Sequence, residues 1–149
     1  MFAEPTHTAA LLQNVLPAEL GAALDWQTLH ECSSLLVDVQ LDKREPDLLF
    51  ALGRRDAEGV VHVLVEHCST QRRDHVLRLR GYSQRLCERA LADDLTAHVV
   101  PPIVPVVVHH GATAWRLPTR LHELRGRPLP GAPVDEFEVV VFDLAVVAE

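Results

Sequence analysis

Three stretches of the chain alternate loosely between apolar and polar residues, and a fourth repeats its apolar positions at helical spacing. "SSLLVDVQL" (Ser33 to Leu41), "DLLFALGRR" (Asp47 to Arg55) and "GVVHVLVEH" (Gly59 to His67) are rich in aliphatic and β-branched residues and read as strands. The "DAEG" between the second and third is a turn signal, so these two predict an antiparallel hairpin. From about Asp74 to Ala97 the spacing changes. Val76, Leu79, Tyr82, Leu86 and Ala90 lie three or four positions apart, which predicts a long helix with one apolar face. Ahead of the strands, Thr6 can cap a helix running to about Leu16, and Pro17 suits the first turn of a short second helix, "PAELGAALD". After the long helix, "PPIVPVVVHHG" holds a buried Val-rich strand. Pro105 places the start of that strand near an edge or at its entrance, and His109, His110 and Gly111 end it in a turn. "RGRPLPGAP" is a loop, and "EFEVVVFDLAVV" is a last strand or a strand running into a short tail. Helix, three strands, helix, strand is the order of an α/β domain with a mixed sheet.

Composition narrows this picture. A chain of 149 residues, 48% of them hydrophobic, suits one compact domain over residues 1–149. The net charge of -7 excludes a basic nucleic-acid binder of the histone kind. The charge is uneven, however: between Gln71 and Arg89 six arginines face only Asp74 and Glu88. Lys43 is the single lysine, so the positive charge is almost all arginine. On a helix, Arg78, Arg85 and Arg89 fall into one stripe beside the apolar face, either a solvated surface or a row of bidentate phosphate donors. Cys32, Cys68 and Cys87 show no short paired spacing, which argues against a disulfide framework. His62, His67, Cys68, His75 and His110 match no standard zinc pattern. The N-terminus "MFAEPTHTAALLQNVLP" has no basic n-region, and no apolar stretch is long enough to span a bilayer, so a soluble cytoplasmic protein is expected.

Candidate chemistry begins in "VLVEHCST", where an apolar strand stops abruptly at Glu66, His67 and Cys68. In the hairpin, opposed residue numbers add to about 113–115, which sets Asp47 opposite or diagonal to Glu66, roughly 5–8 Å apart at Cβ. Two carboxylates so close repel. One takes up a proton or a cation sits between them. Mg²⁺ (or Mn²⁺) would satisfy both, with water and a backbone carbonyl such as that of His67 completing its shell. The bland alternative is a pair of solvated strand-end acids. The His67 side chain alternates to the face opposite Glu66 and Cys68, which favours a structural role.

"VDVQLDKREPDLLF", "VHVLVEHCST", "LRLRGYSQRLCERAL" and "LPTR" after "PPIVPVVVHHGATAW", in this order and spacing, resemble the Rpn family of recombination-promoting nucleases and transposase-like proteins. That family lies within the PD-(D/E)XK nuclease superfamily, and the resemblance runs from about Phe2 to Leu124. It implies a restriction-endonuclease-like core, a mixed sheet with an antiparallel hairpin flanked by helices, and Mg²⁺-dependent cleavage of DNA. The metal-binding acids of the superfamily match Asp47 and Glu66. Its third signature position, a lysine or in this family commonly a glutamine, falls on Cys68. A thiol is a weak donor, so Cys68 weakens the chemistry expected there. Asp38, nine positions before Asp47, shares a family spacing and is either a further acid near the site or an outward-pointing strand residue. His109 and His110 could be ligands, His110 as an accessory candidate, although both better suit packing beside Gly111. Relatives usually carry a His-Asp segment ahead of the position matching Phe2 and a helical C-terminal extension; without them the chain reads as a short or truncated member. The resemblance makes DNA the expected partner and leaves a homo-oligomer open. The rival expectation is a catalytically silent remnant that binds DNA or a protein.

Overall fold

The computed structural model describes residues 5–32, 48–134 and 136–147. Its elements in chain order are α1 (Pro5–Val15), α2 (Ala18–Ala22), β1 (Leu24–Cys32), β2 (Leu48–Arg54), β3 (Val60–Cys68), α3 (His75–Asp93), β4 (Ile103–His109), α4 (Leu121–Leu124), β5 (Val140–Asp143) and α5 (Leu144–Val147). The strands form one five-stranded sheet in the order β1-β2-β3-β4-β5. β1, β2 and β3 run antiparallel, and β3, β4 and β5 run parallel, so the sheet is mixed.

The hairpin of β2 and β3 sets the register for everything beside it. Leu48 pairs with Val65 and Gly53 with Val60, the lower end of the expected range. Gly59 closes the turn at φ 120°, a conformation that L side chains avoid. Alternation along β3 then splits its side chains between two cores. Val61, Val63 and Val65 join Phe50, Leu52, Val106 and Val108 under Leu12 of α1 and Leu16 just after it. Leu64 joins Leu49 and Val107 under Val76, Leu79, Tyr82 and Leu86 of α3 and Leu121 of α4. Burying a side chain such as Leu64 completely stabilises the fold by about 1.5–3 kcal/mol. β3 and β4 are filled on both faces, which is why they read as continuous aliphatic runs.

Several boundaries differ from the sequence expectation. α1 starts at Pro5, so Thr6 lies inside its first turn; proline is well suited there because the first turn needs no amide hydrogen from it. α3 stops at Asp93, short of Ala97. Asp94 Oδ1 accepts the backbone N–H of Thr96 at 3.0 Å and its hydroxyl at 2.7 Å, a local turn that competes with another helical turn. β1 occupies Leu24–Cys32, where no strand was expected. Its register shifts between Asp25 and His30. Thr28 bridges the irregularity, its hydroxyl accepting from Gly53 N–H and donating to the Asp25 carbonyl, each at 2.7 Å. The expected strand at Ser33–Leu41 lies outside the described residues. Pro105 stands one residue before Val106, the first β4 residue paired with β5, so its missing N–H falls at the entrance of that ladder.

Candidate active site

Side chains able to do chemistry gather where β3, β4 and β5 end, on the α3 face of the sheet. The carboxyl ends of parallel strands are the usual ligand crevice of an open α/β sheet. β3 brings Glu66 and Cys68 to this face, two and four positions beyond buried Leu64. The loop after β3 turns back into α3, whose first two turns place His75 and Arg78 against Glu66.

Glu66 is 6% exposed. Its Oε1 accepts from Arg78 Nη1 at 2.9 Å, and its Oε2 faces His75 Nδ1 at 3.4 Å. The other His75 nitrogen faces the Thr70 carbonyl at 3.3 Å. With an acceptor before each ring nitrogen, His75 is best satisfied as an imidazolium. Burial opposes that charge, but the Cys68 side chain, the Glu66 carboxylate and the Thr70 carbonyl together push the His75 pKa up to about 10. Burial likewise opposes the charge of Arg78, while Tyr82 and Glu66 raise its pKa on balance. Two cations thus face one buried acid, leaving the cluster with a net positive charge. The first turn of a 19-residue helix adds a favourable dipole.

Beside this cluster, β3 and β4 set Cys68 opposite His109. His109 is 1% exposed and donates from Nδ1 to Asp143 Oδ1 on β5 at 2.9 Å. Trp115 stands between the two groups, its ring 5.3 Å from His109 and 5.6 Å from His75. Gly111 packs onto this end of the sheet. A Cβ there would lie 2.5 Å from the Ser69 carbonyl oxygen and 2.6 Å from His109 Nε2, so only glycine fits.

The residues singled out in the sequence therefore have distinct fates. Asp47 and Asp38 lie outside the described residues. The Cys68 carbonyl accepts from His110 N–H at 3.0 Å on the β4 side. By alternation the His67 carbonyl points the other way, toward β2, while its side chain shares the α1 face with Val65. Cys68 is partly buried beside His75. Arg78 is engaged by Glu66, Arg85 is partly buried, and Arg89 is exposed with Asp93 at 3.5 Å. His110 is exposed, its ring 6.3 Å from that of His67. His75 beside Glu66, Asp143 and Trp115 were not anticipated; His109, expected to pack beside Gly111, does lie against it. The signal for His75 was present: with Arg78 and Tyr82 it makes an i, i+3, i+7 row along the helix. Among the described residues, no three His, Cys, Asp or Glu side chains converge as a metal site. No helix among them is long and apolar enough to cross a membrane.

A mixed five-stranded sheet with flanking helices, and a buried acid among cations at the ends of its parallel strands, define an α/β protein with its polar site at the strand ends. The family model described as "Putative transposase, YhgA-like" matches residues 1–149, and the chain belongs to that family. It is 28% identical over 105 residues to Recombination-promoting nuclease RpnD of Escherichia coli O157:H7, covering 68% of this chain and 40% of the relative. It is 30% identical over 103 residues to Recombination-promoting nuclease RpnC of Escherichia coli strain K12, covering 68% of this chain and 34% of the relative. A third relative, 26% identical over 110 residues and covered to 36% of its length, is named Inactive recombination-promoting nuclease-like protein RpnE, also of strain K12. The chain thus spans well under half the length of these curated relatives. No solved structure matches it.

Proposed function

We propose that this chain carries a metal-dependent DNA endonuclease core of the restriction-endonuclease-like, PD-(D/E)XK type, as one domain over residues 1–149. The observation that carries the reading is Glu66, a buried acid near the end of β3, directly after the apolar run Val63–Val65, whose Val65 pairs with Leu48. Asp47 is covalently joined to Leu48 and is proposed as the second acid. Glu66, Asp47 and the carbonyl of His67 are hard oxygen donors, the kind that Mg²⁺ or Mn²⁺ takes. When bound, such an ion polarises a phosphate oxygen and makes water a better nucleophile at neutral pH. Glu66 and Asp47 fix its position, and His75 holds the orientation of Glu66. Cys68 occupies the place of a stronger donor. Arg78, Arg85 and Arg89 are proposed to meet the DNA backbone; such contacts position without reading sequence and weaken with added salt.

A second reading, a silent DNA- or partner-binding protein, is favoured by Cys68 and by the two cations already on Glu66. Incubating supercoiled plasmid with Mg²⁺ or Mn²⁺ separates the two. Nicking by the wild type that Asp47→Ala and Glu66→Ala both abolish supports the nuclease. Retarded but uncut plasmid supports the silent form.

A further inference from the structure

The loop "RGRPLPGAP" has no part in the Glu66 cluster, yet the fold builds an arm from it. Val139 N–H donates to the Thr119 carbonyl at 2.9 Å and Leu121 N–H to the Phe137 carbonyl at 2.8 Å, with Arg120 bridged antiparallel to Glu138. Leu121, 1% exposed, fixes this base in the core under α3. Beyond it the chain turns back at Pro130 and Gly131, where Ala132 N–H donates to the Leu129 carbonyl at 3.1 Å and Gly131 takes φ 80°. That is a type II turn, with proline and glycine each in its favoured place. We propose that the Arg125–Gly126–Arg127 limb of this arm reads the minor groove of A·T-rich duplex DNA. The inference rests on the reading of DNA as the partner and adds a base preference to it.

Charge selects the partner. The chain carries a net charge of -7, yet from Arg116 to Arg127 four arginines face only Glu123, and no acid stands between Arg125 and Val134. Arg125 and Arg127 are exposed. With Glu136 they line a groove of about 560 Å³, one acid against two arginines. At the base, Arg120 Nε covers Glu138 Oε2 at 3.4 Å. Shape selects the groove. Arg125 is extended, at φ -83° and ψ 155°, and Pro128 disfavours helical backbone at Arg127. Residues two apart lie on one side of an extended chain, so Gly126 separates two arginines of common direction. A strip without a side chain at its centre can approach the floor of a groove only about 6 Å wide. The fold itself does not need that glycine: a Cβ on Gly126 would meet no described atom within 4 Å. The narrow A·T minor groove concentrates negative potential that attracts arginine, whereas each G·C pair sets an amino donor on the floor, against the donors of the guanidinium. Leu129, 75% exposed beside the turn, is the kind of apolar group that minor-groove proteins wedge against base steps. Pro128, Pro130 and Pro133 stiffen the arm before it binds, which reduces the entropy lost on ordering it.

The test is fluorescence anisotropy of the full chain, without divalent metal, on three labelled duplexes of one length: A·T, G·C and inosine·C. Inosine·C keeps the major-groove pattern of G·C but lacks its minor-groove amino group. The wild type is expected to bind the A·T and inosine·C duplexes alike, each about five- to tenfold more tightly than G·C. Arg127→Ala and Gly126→Ala are expected to melt as the wild type does and to lose that preference, whereas Arg116→Ala is expected to weaken binding to all three duplexes alike. A preference for A·T in which inosine·C behaves as G·C overturns the minor-groove assignment. Equal wild-type affinity for all three, or a preference that survives in both Arg127→Ala and Gly126→Ala, overturns the role of the arm and leaves DNA as the partner. No binding to any duplex overturns the DNA reading and the base preference with it.

Discussion

Glu66, near the end of β3, and Asp143, at the end of β5, flank β4 and are held differently. Asp143 takes two backbone amides, Trp115 N–H at 2.6 Å and Ala145 N–H at 3.0 Å, together with His109 at 2.9 Å. The Trp115 amide does most to keep its carboxyl below the ordinary range, against a smaller opposing effect of burial. Glu66 is held by two side chains of α3, Arg78 and His75. Backbone donors are fixed by the fold, whereas side-chain donors can exchange. Asp143 therefore ties the last strand to the loop over it, whereas Glu66 ties the end of β3 to the first turns of α3.

The largest expected effect comes from taking the charge off Glu66. Glu66→Gln leaves Arg78 and His75 buried together without their anion, which should lower unfolding stability by about 3–5 kcal/mol in denaturant titrations. Plasmid nicking should fall at least about a hundredfold in the same variant. Asp143→Ala is next: it strips three donors of their acceptor and should lower the melting temperature by several degrees. Unlike Glu66→Gln, it should leave Mn²⁺ affinity unchanged, and a loss of affinity would erase the distinction between the two acids.

The two acids should also fail at opposite ends of the pH range. His75 is raised from 6.5 to about 10, so its contribution is whole below pH 6.5 and is lost as pH rises toward about 10. Asp143 is lowered, so its contribution is whole above the ordinary carboxylate range and is lost as pH falls through its own pKa. Melting curves should show His75→Gln flattening the alkaline limb and Asp143→Asn the acid limb. The smallest effect is expected at the signature position. Cys68→Gln should raise nicking a few-fold by restoring a donor, while Cys68→Lys should gain less, because it adds a third cation beside His75. Unchanged nicking in Cys68→Gln would show that this position does not limit the reaction.

The hairpin and the α3 face were legible because each rests on short-range pattern. Val61, Val63 and Val65 alternate with His62, Leu64 and Glu66, and the turn fixes their pairing with β2. Val76, Leu79, Tyr82 and Leu86 repeat at helical spacing and are all buried. β1 was not legible. Its exposure runs irregularly from Leu24 to Cys32, because the register shift after Asp25 breaks the period and Thr28 replaces part of the ladder. At the site, Glu66 stood out as an acid ending an apolar run. The groups that surround it did not, since their meeting depends on pairings distant in sequence: Cys68 with His109 through the parallel register, and His109 with Asp143 across the next strand. His109 reads in sequence as the first half of a His-His-Gly turn, and only the neighbouring strands reveal it as a buried partner.

Anomalous diffraction from crystals grown with Mn²⁺ tests the central claim most directly. The account predicts a manganese peak within coordinating distance of carboxylate oxygens from both Asp47 and Glu66. A map at saturating Mn²⁺ with no peak there would contradict it.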